Sequence, residues 1–173
     1  MQQASSQSYE QSHLESERIQ LEQAMKSGTN WFYWIAALSL VNTAISFSGT
    51  NRAFGLGLGV TQIFDAFANE LDGGLRAIPL IMGLTITAGF ALFGYLGGNK
   101  QTWAIVTGMS LYLLDGLLLL LLAVLGLGLP IIGILIHAYA LYGLFNGFSA
   151  CRELKKLEAE RGMMPPQPPT AFR

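Results

Sequence analysis

The chain alternates between polar ends and a long apolar middle, and the apolar part breaks into four segments. These cover roughly 31–48, 78–97, 103–125 and 130–151. A helix that crosses a bilayer needs about 20 mainly apolar residues. Each segment approaches or exceeds that length, and the first is the shortest and most polar. Gly49 closes the first, while Pro79 and Pro130 stand at the entrances of the second and fourth, where a missing N–H costs least. Only Gly126-Leu127-Gly128-Leu129 joins the last two, which predicts a tight antiparallel hairpin.

Between the first two segments lies a run with a different rhythm. Within 53–71, Leu56, Val60, Ile63, Phe64, Phe67 and Leu71 recur at helical spacing, and Thr61, Gln62, Asp65 and Asn69 take the other face. Gly55, Gly57 and Gly59 loosen its start and Gly73-Gly74 end it. Asp65, Asn69 and Glu70 are costly in lipid, which disfavours a fifth span. The pattern predicts a helix over about 58–71 that lies in the outer interface, or one that re-enters the membrane shielded by protein. The fold class expected is therefore an all-α integral membrane protein, with four transmembrane helices plus an amphipathic interfacial or re-entrant helix.

The ends divide off as 1–29 and 152–173, flanking a transmembrane domain over 30–151. Ser12 with Glu15 matches a capping box, Leu14, Leu21 and Met25 line one side, Glu22 and Lys26 pair at i, i+4, and Gly28 supplies a stop. These predict a short amphipathic helix resting on the membrane or the bundle, or making a short coiled-coil contact. Arg152 to Arg161 continues the fourth segment as a charged helix with Leu154 and Leu157 on one side. Met163-Met164-Pro165-Pro166-Gln167-Pro168-Pro169 reads as an extended or disordered tail.

Composition narrows the function classes. Charged residues are 12% of the chain against roughly 25% in soluble proteins, so one soluble domain is not expected despite the ordinary length. A net charge of −1 without a basic stripe argues against nucleic acid. Cys151 is alone, which excludes an internal disulfide and a cysteine-only metal cage. Arg18, Lys26, Lys100, Arg152, Lys155, Lys156, Arg161 and Arg173 fall on one side of a four-span topology, and Arg52 and Arg76 on the other. The positive-inside rule then predicts cytoplasmic termini in a plasma (inner) membrane, with Trp31, Trp34 and Trp103 as anchors at the cytoplasmic interface.

Asp115 is the most informative residue. It stands near the middle of the third segment, before the unbroken run Leu117 to Leu122, with no other charge nearby. An ionisable group at that depth costs about 2.5–3.5 kcal/mol and normally faces protein or water. His137 in the fourth segment falls within a few ångströms of the same depth, since the two lie about twelve and about ten residues from the hairpin at 1.5 Å each. Asn42 falls near mid-membrane too. A cluster of Asp115, His137 and Asn42 is predicted, with Tyr112 on the Asp115 side of its helix. Such an Asp–His pair can hold one proton between two sites, as a proton relay requires. Ser39, Asn42, Thr43 and Ser46 share one face of the first segment, either as packing glue between helices or as a polar lining.

Other chemistries are thinner. Ser110 with His137 resembles the dyad of rhomboid proteases, but Leu111 stands where that signature has glycine, and the family has six core spans. His137 is the one weak candidate metal ligand, and could take haem or a chlorophyll magnesium beside the small residues Gly133 and Ala140. No metal cluster, phosphate loop or nucleotide fingerprint is present in the sequence, and the spaced glycines Gly55, Gly57 and Gly59 lack a flanking strand. Gly94 with Gly98, Gly143 with Gly147, and the ridge Gly83, Thr87, Ala91 allow close helix approach and suggest a homo-oligomer or a larger complex. No internal repeat of the kind that builds carriers is visible. The leading expectation is a structural or accessory subunit of a membrane assembly. An ion- or proton-coupled channel or carrier subunit comes next, and an enzyme or pigment-binding subunit last.

Overall fold

The computed structural model describes residues 2–48, 58–125 and 131–163. Arg52, the glycines Gly49, Gly55 and Gly57, Leu56, the predicted hairpin at 126–129, Pro130 and the proline-rich tail lie outside the described residues. Among those described the chain is all-helical, without strands. Helix α1 covers Gln2–Thr29, α2 Trp31–Phe47, α3 Gly59–Glu70, α4 Ala77–Gly98, α5 Thr102–Val124 and α6 Ile131–Met163. A 3-10 turn at Gly73–Arg76 leads into α4. Among the described residues, three helical stretches, Gly73–Gly98, Thr102–Val124 and Ile131–Gly162, are long and apolar enough to cross a membrane. Helix α2 has 17 residues, about 25 Å, which is shorter than the roughly 30 Å hydrocarbon core.

The burial pattern is inverted relative to a soluble bundle. Ser39, Asn42, Thr61, Asp65, Thr87, Asp115 and His137 are buried, whereas Leu114, Leu121, Ile132, Leu135 and Phe145 are exposed. Water would favour the opposite arrangement. A lipid exterior favours this one, because polar side chains then find partners only inside the protein. Helix α3 shows the same inversion. Gly59, Thr61, Asp65 and Ala68 face inward, and Phe67 and Leu71 face out.

Close helix packing rests on glycine. Gly28 of α1 meets Gly147 of α6 backbone to backbone, and a Cβ on Gly147 would lie 2.8 Å from the Gly28 Cα. Gly143 accommodates the Trp31 indole, Gly108 the Phe32 ring, and Gly94 the Phe32 and Tyr33 side chains. The two GxxxG pairs and Gly108 thus seat residues of the same chain. Thr87 donates to the Gly83 carbonyl at 2.9 Å within α4, and Gly83 faces Phe64 of α3. Trp31 is partly buried against Tyr139 in an edge-on contact of 5.1 Å, while Trp34 and Trp103 point outward at that same end of the bundle.

Helix α1 is longer than its capping signals predict. Ser12 sits in mid-helix and donates to the Tyr9 carbonyl at 2.8 Å, so it caps nothing, and the helix passes through Gly28 to Thr29. No proline or glycine interrupts 2–27, so the helix that Leu21 and Met25 anchor against α6 extends back without a break. The two helices run antiparallel. Met25, Cys151 and Leu154 form the buried seam, Arg161 bridges to Glu15 at 3.0 Å, and Arg18 approaches Glu158 at 3.8 Å. The expected Glu22–Lys26 pair forms at 2.7 Å.

The α4–α5 turn is tied to this hairpin. Gln101 N–H reaches the Leu96 carbonyl and Lys100 N–H the Gly97 carbonyl, each at 3.0 Å, which is the Schellman closure of a helix end. The left-handed position falls on Lys100, at φ 62°, where glycine is usual. The Lys100 ammonium meets Glu158, and Lys155 donates to Thr102 at 2.8 Å.

Candidate functional site: a capped half-helix at Asp115

Helix α3 positions the site. Its 12 residues run about 18 Å, roughly half the length of α4 or α5. Its first turn lies level with their middles, where Leu58 and Val60 share a cavity wall with Ile86 and Phe90 of α4 and with Leu114 and Leu118 of α5. A helix that starts there has unpaired N–H groups away from either end of the bundle. Three of them are satisfied by side chains of other helices. Ser39 on α2 accepts from Leu58 N–H at 2.9 Å. Asp115 on α5 accepts from Gly59 N–H through Oδ2 and from Val60 N–H through Oδ1, both at 2.8 Å. The acid is therefore an N-cap supplied in trans, and its carboxyl group sits at the positive end of the α3 dipole.

The polar face of α3 extends these contacts along α2. Thr43 donates to Asp65 Oδ2 at 3.0 Å, and Asn69 donates to Ser46 Oγ at 3.0 Å. Arg76 donates to Asn69 Oδ1 at 2.9 Å and lies 4.4 Å over the Phe47 ring. Ser39, Thr43 and Ser46 thus all serve the docking of α3. Asn42 is buried on α2, one turn from Ser39.

Asp115 and His137 meet as their depths suggest, with His137 Nε2 3.0 Å from Asp115 Oδ2. The other ring nitrogen, Nδ1, lies 3.0 Å from the Gly133 carbonyl. A carbonyl has no proton to give, so Nδ1 carries one and donates it. Nε2 and Oδ2 then share a single proton, drawn either as imidazolium with carboxylate or as imidazole with carboxylic acid. The pair is neutral overall in both forms.

Packing holds the imidazole in place. The Tyr112 ring stacks on it at 4.4 Å between centroids and 10° between planes. Gly116 opens its other approach, since a Cβ there would sit 3.3 Å from His137 Cδ2. The Tyr112 hydroxyl is buried without a hydrogen-bond partner among the described residues.

No protein-family model, curated protein or solved structure matches this chain.

The rhomboid-like dyad is not assembled. Ser110 is exposed on the flank of α5, and both His137 nitrogens are engaged by Gly133 and Asp115. Haem or chlorophyll ligation by His137 would have to displace one of those partners. Sequence reasoning did not find the backbone amides of Leu58, Gly59 and Val60, because a backbone donor has no letter of its own. The available signal is Gly59, where a Cβ would lie 2.6 Å from Leu119 and hold the helix start off α5.

Proposed function

We propose that the chain is a four-span membrane protein with a re-entrant half-helix, and that it works as an ion- or proton-coupled carrier or channel subunit centred on Asp115 and His137. The observation that carries this reading is the half-helix N-terminus at mid-bundle, capped by an acid that shares one proton with a histidine. Discontinuous helices whose ends meet ions near the bilayer midplane are characteristic of transporters. A bundle that served only as a scaffold would gain nothing from burying a helix terminus, whose three free N–H groups need Ser39 and Asp115 as partners to be tolerated.

Helix α2 supplies the fourth span in this reading, and α3 is re-entrant rather than interfacial. An interfacial helix turns its polar face to water, but α3 turns Thr61 and Asp65 into the protein and Phe67 outward. The distribution of arginine and lysine supports a topology with both termini in the cytoplasm, in a plasma (inner) membrane. The test is proton flux into liposomes under an imposed pH gradient. Flux that exceeds protein-free vesicles and is lost in His137→Asn supports the reading, and no flux above the protein-free rate sinks it.

One set of observations favours a second reading, a structural or accessory subunit of a membrane assembly. Ser39, Thr43, Ser46 and Asp115 are all accounted for by holding α3 in place. That reading expects stoichiometric foreign subunits in the gently solubilised complex. It also expects an Asp115→Asn protein that assembles poorly, with no flux in either form.

A further inference from the structure

A cavity of about 340 Å³ opens beside Asp115 between α3, α4 and α5. Small-molecule sites run from roughly 300 to 1,000 Å³, so the space suits a small ligand. Leu58, Val60, Ile86, Phe90 and Leu114 are among its walls, and Asp115 is the one polar side chain among the described residues lining it. Leu111 and Leu114 at its rim are 44% and 60% exposed on the apolar flank, so entry is from the lipid side rather than from water. A carboxylate offers about four acceptor positions. Gly59 N–H and His137 occupy two on Oδ2, and Val60 N–H occupies one on Oδ1. One acceptor position remains on Oδ1, whose donor Val60 is itself a wall residue.

The geometry points to a binding site for a small lipophilic ammonium ion, held by its apolar body in this cavity and by its charge on Asp115. An apolar body matches the walls, and a cationic donor matches the single acid. The proton count gives the coupling. In the empty site the Asp115–His137 pair is neutral with one shared proton. When an ammonium pairs with the Asp115 carboxylate, that shared proton leaves from His137 Nε2, while Nδ1 keeps its own proton on Gly133. One cation enters, one proton departs, and the site stays neutral. Among the described residues, the titratable groups packed around Asp115 are His137 from α6 and Tyr112 from its own helix. Helix α4 contributes Ile86 and Phe90, α2 contributes Ser39, and the α3 acid Asp65 faces Thr43.

This inference rests on the proton-coupled reading of the pair, and the experiment separates the two. The chain has two histidines, and His13 lies in α1, so nitrogen-15 histidine signals report His137 directly. In lipid nanodiscs, n-octylammonium should remove the proton from His137 Nε2 and leave Nδ1 protonated, while 1-octanol leaves both unchanged. Apparent Kd should rise about tenfold for each pH unit lowered while the pair is fully protonated, as one displaced proton per ligand requires. Ile86→Trp and Leu111→Trp fill the cavity and should abolish the response, with the His137 signals of the unliganded protein unchanged. Equal responses to octanol and octylammonium overturn the proposal, as does a response that survives both tryptophans. A His137 that titrates with pH but ignores octylammonium leaves proton coupling standing and removes the ammonium site. A His137 indifferent to both removes both.

Discussion

Replacing Asp115 by asparagine tests the central structural claim, that this acid caps α3 from another helix. The carboxylate accepts from Gly59 N–H, Val60 N–H and His137 Nε2. Asparagine has a single acceptor oxygen, and its amide nitrogen would face one of those N–H groups donor to donor. One buried backbone N–H is then left unsatisfied, at about 1–3 kcal/mol. Loss of the negative charge at the helix N-terminus removes up to ~2 kcal/mol more in a partly buried setting. A destabilisation of about 2–4 kcal/mol is expected, concentrated in the docking of α3. Two assays read it. Unfolding in mixed micelles gives the total, and thiol labelling of Ala68→Cys, a buried α3 position, gives the local opening once the buried Cys151 is replaced by serine. Faster labelling at Ala68→Cys in the asparagine background is the expected result. A variant within about 0.5 kcal/mol of the parent, the range of an ordinary surface change, with unchanged labelling would refute the capping argument.

Three further outcomes are expected. Ser39→Ala removes the acceptor for Leu58 N–H and should cost about 1–3 kcal/mol in the same unfolding assay, whereas Ser48→Ala, at the exposed end of α2, should cost far less. Gly28→Ala drives a methyl into the Gly147 backbone and should separate α1 from α6 at about 1–3 kcal/mol, measured as faster proteolysis of α1; Gly162→Ala, with open space around it, should be silent. Glu15 is held below the ordinary glutamate value of 4.5, first by its hydrogen bond to Arg161 and then by the Arg18 charge. Its contribution to α1 docking is therefore present above that value and lost as the pH falls through the lowered folded-state value. Proteolysis of α1 should accelerate on acidification, and Glu15→Gln should remove that acceleration.

The sequence by itself determined the class of molecule. Apolar runs of membrane length, almost free of charge, and a single acid in a leucine-rich span can be read without coordinates, because they follow from what lipid tolerates in any fold. The meeting of Asp115 with His137 was also within reach, since two helices joined by a short connection put residues equidistant from it at equal depth. The purpose of that meeting was not. The same holds for the polar face of the first segment, where glue and pathway could not be told apart until Ser39, Thr43 and Ser46 were seen to hold α3. The direction in which α3 turns its polar face was likewise undecided, because an amphipathic pattern is identical whether water or protein covers the polar side. Glycine spacing promised close approach but named no partner, and the partners are Gly28, Trp31 and Phe32 of the same chain. Only the tertiary structure could make these decisions, because each depends on backbone donors and on which surfaces face one another. Local sequence carries neither of those.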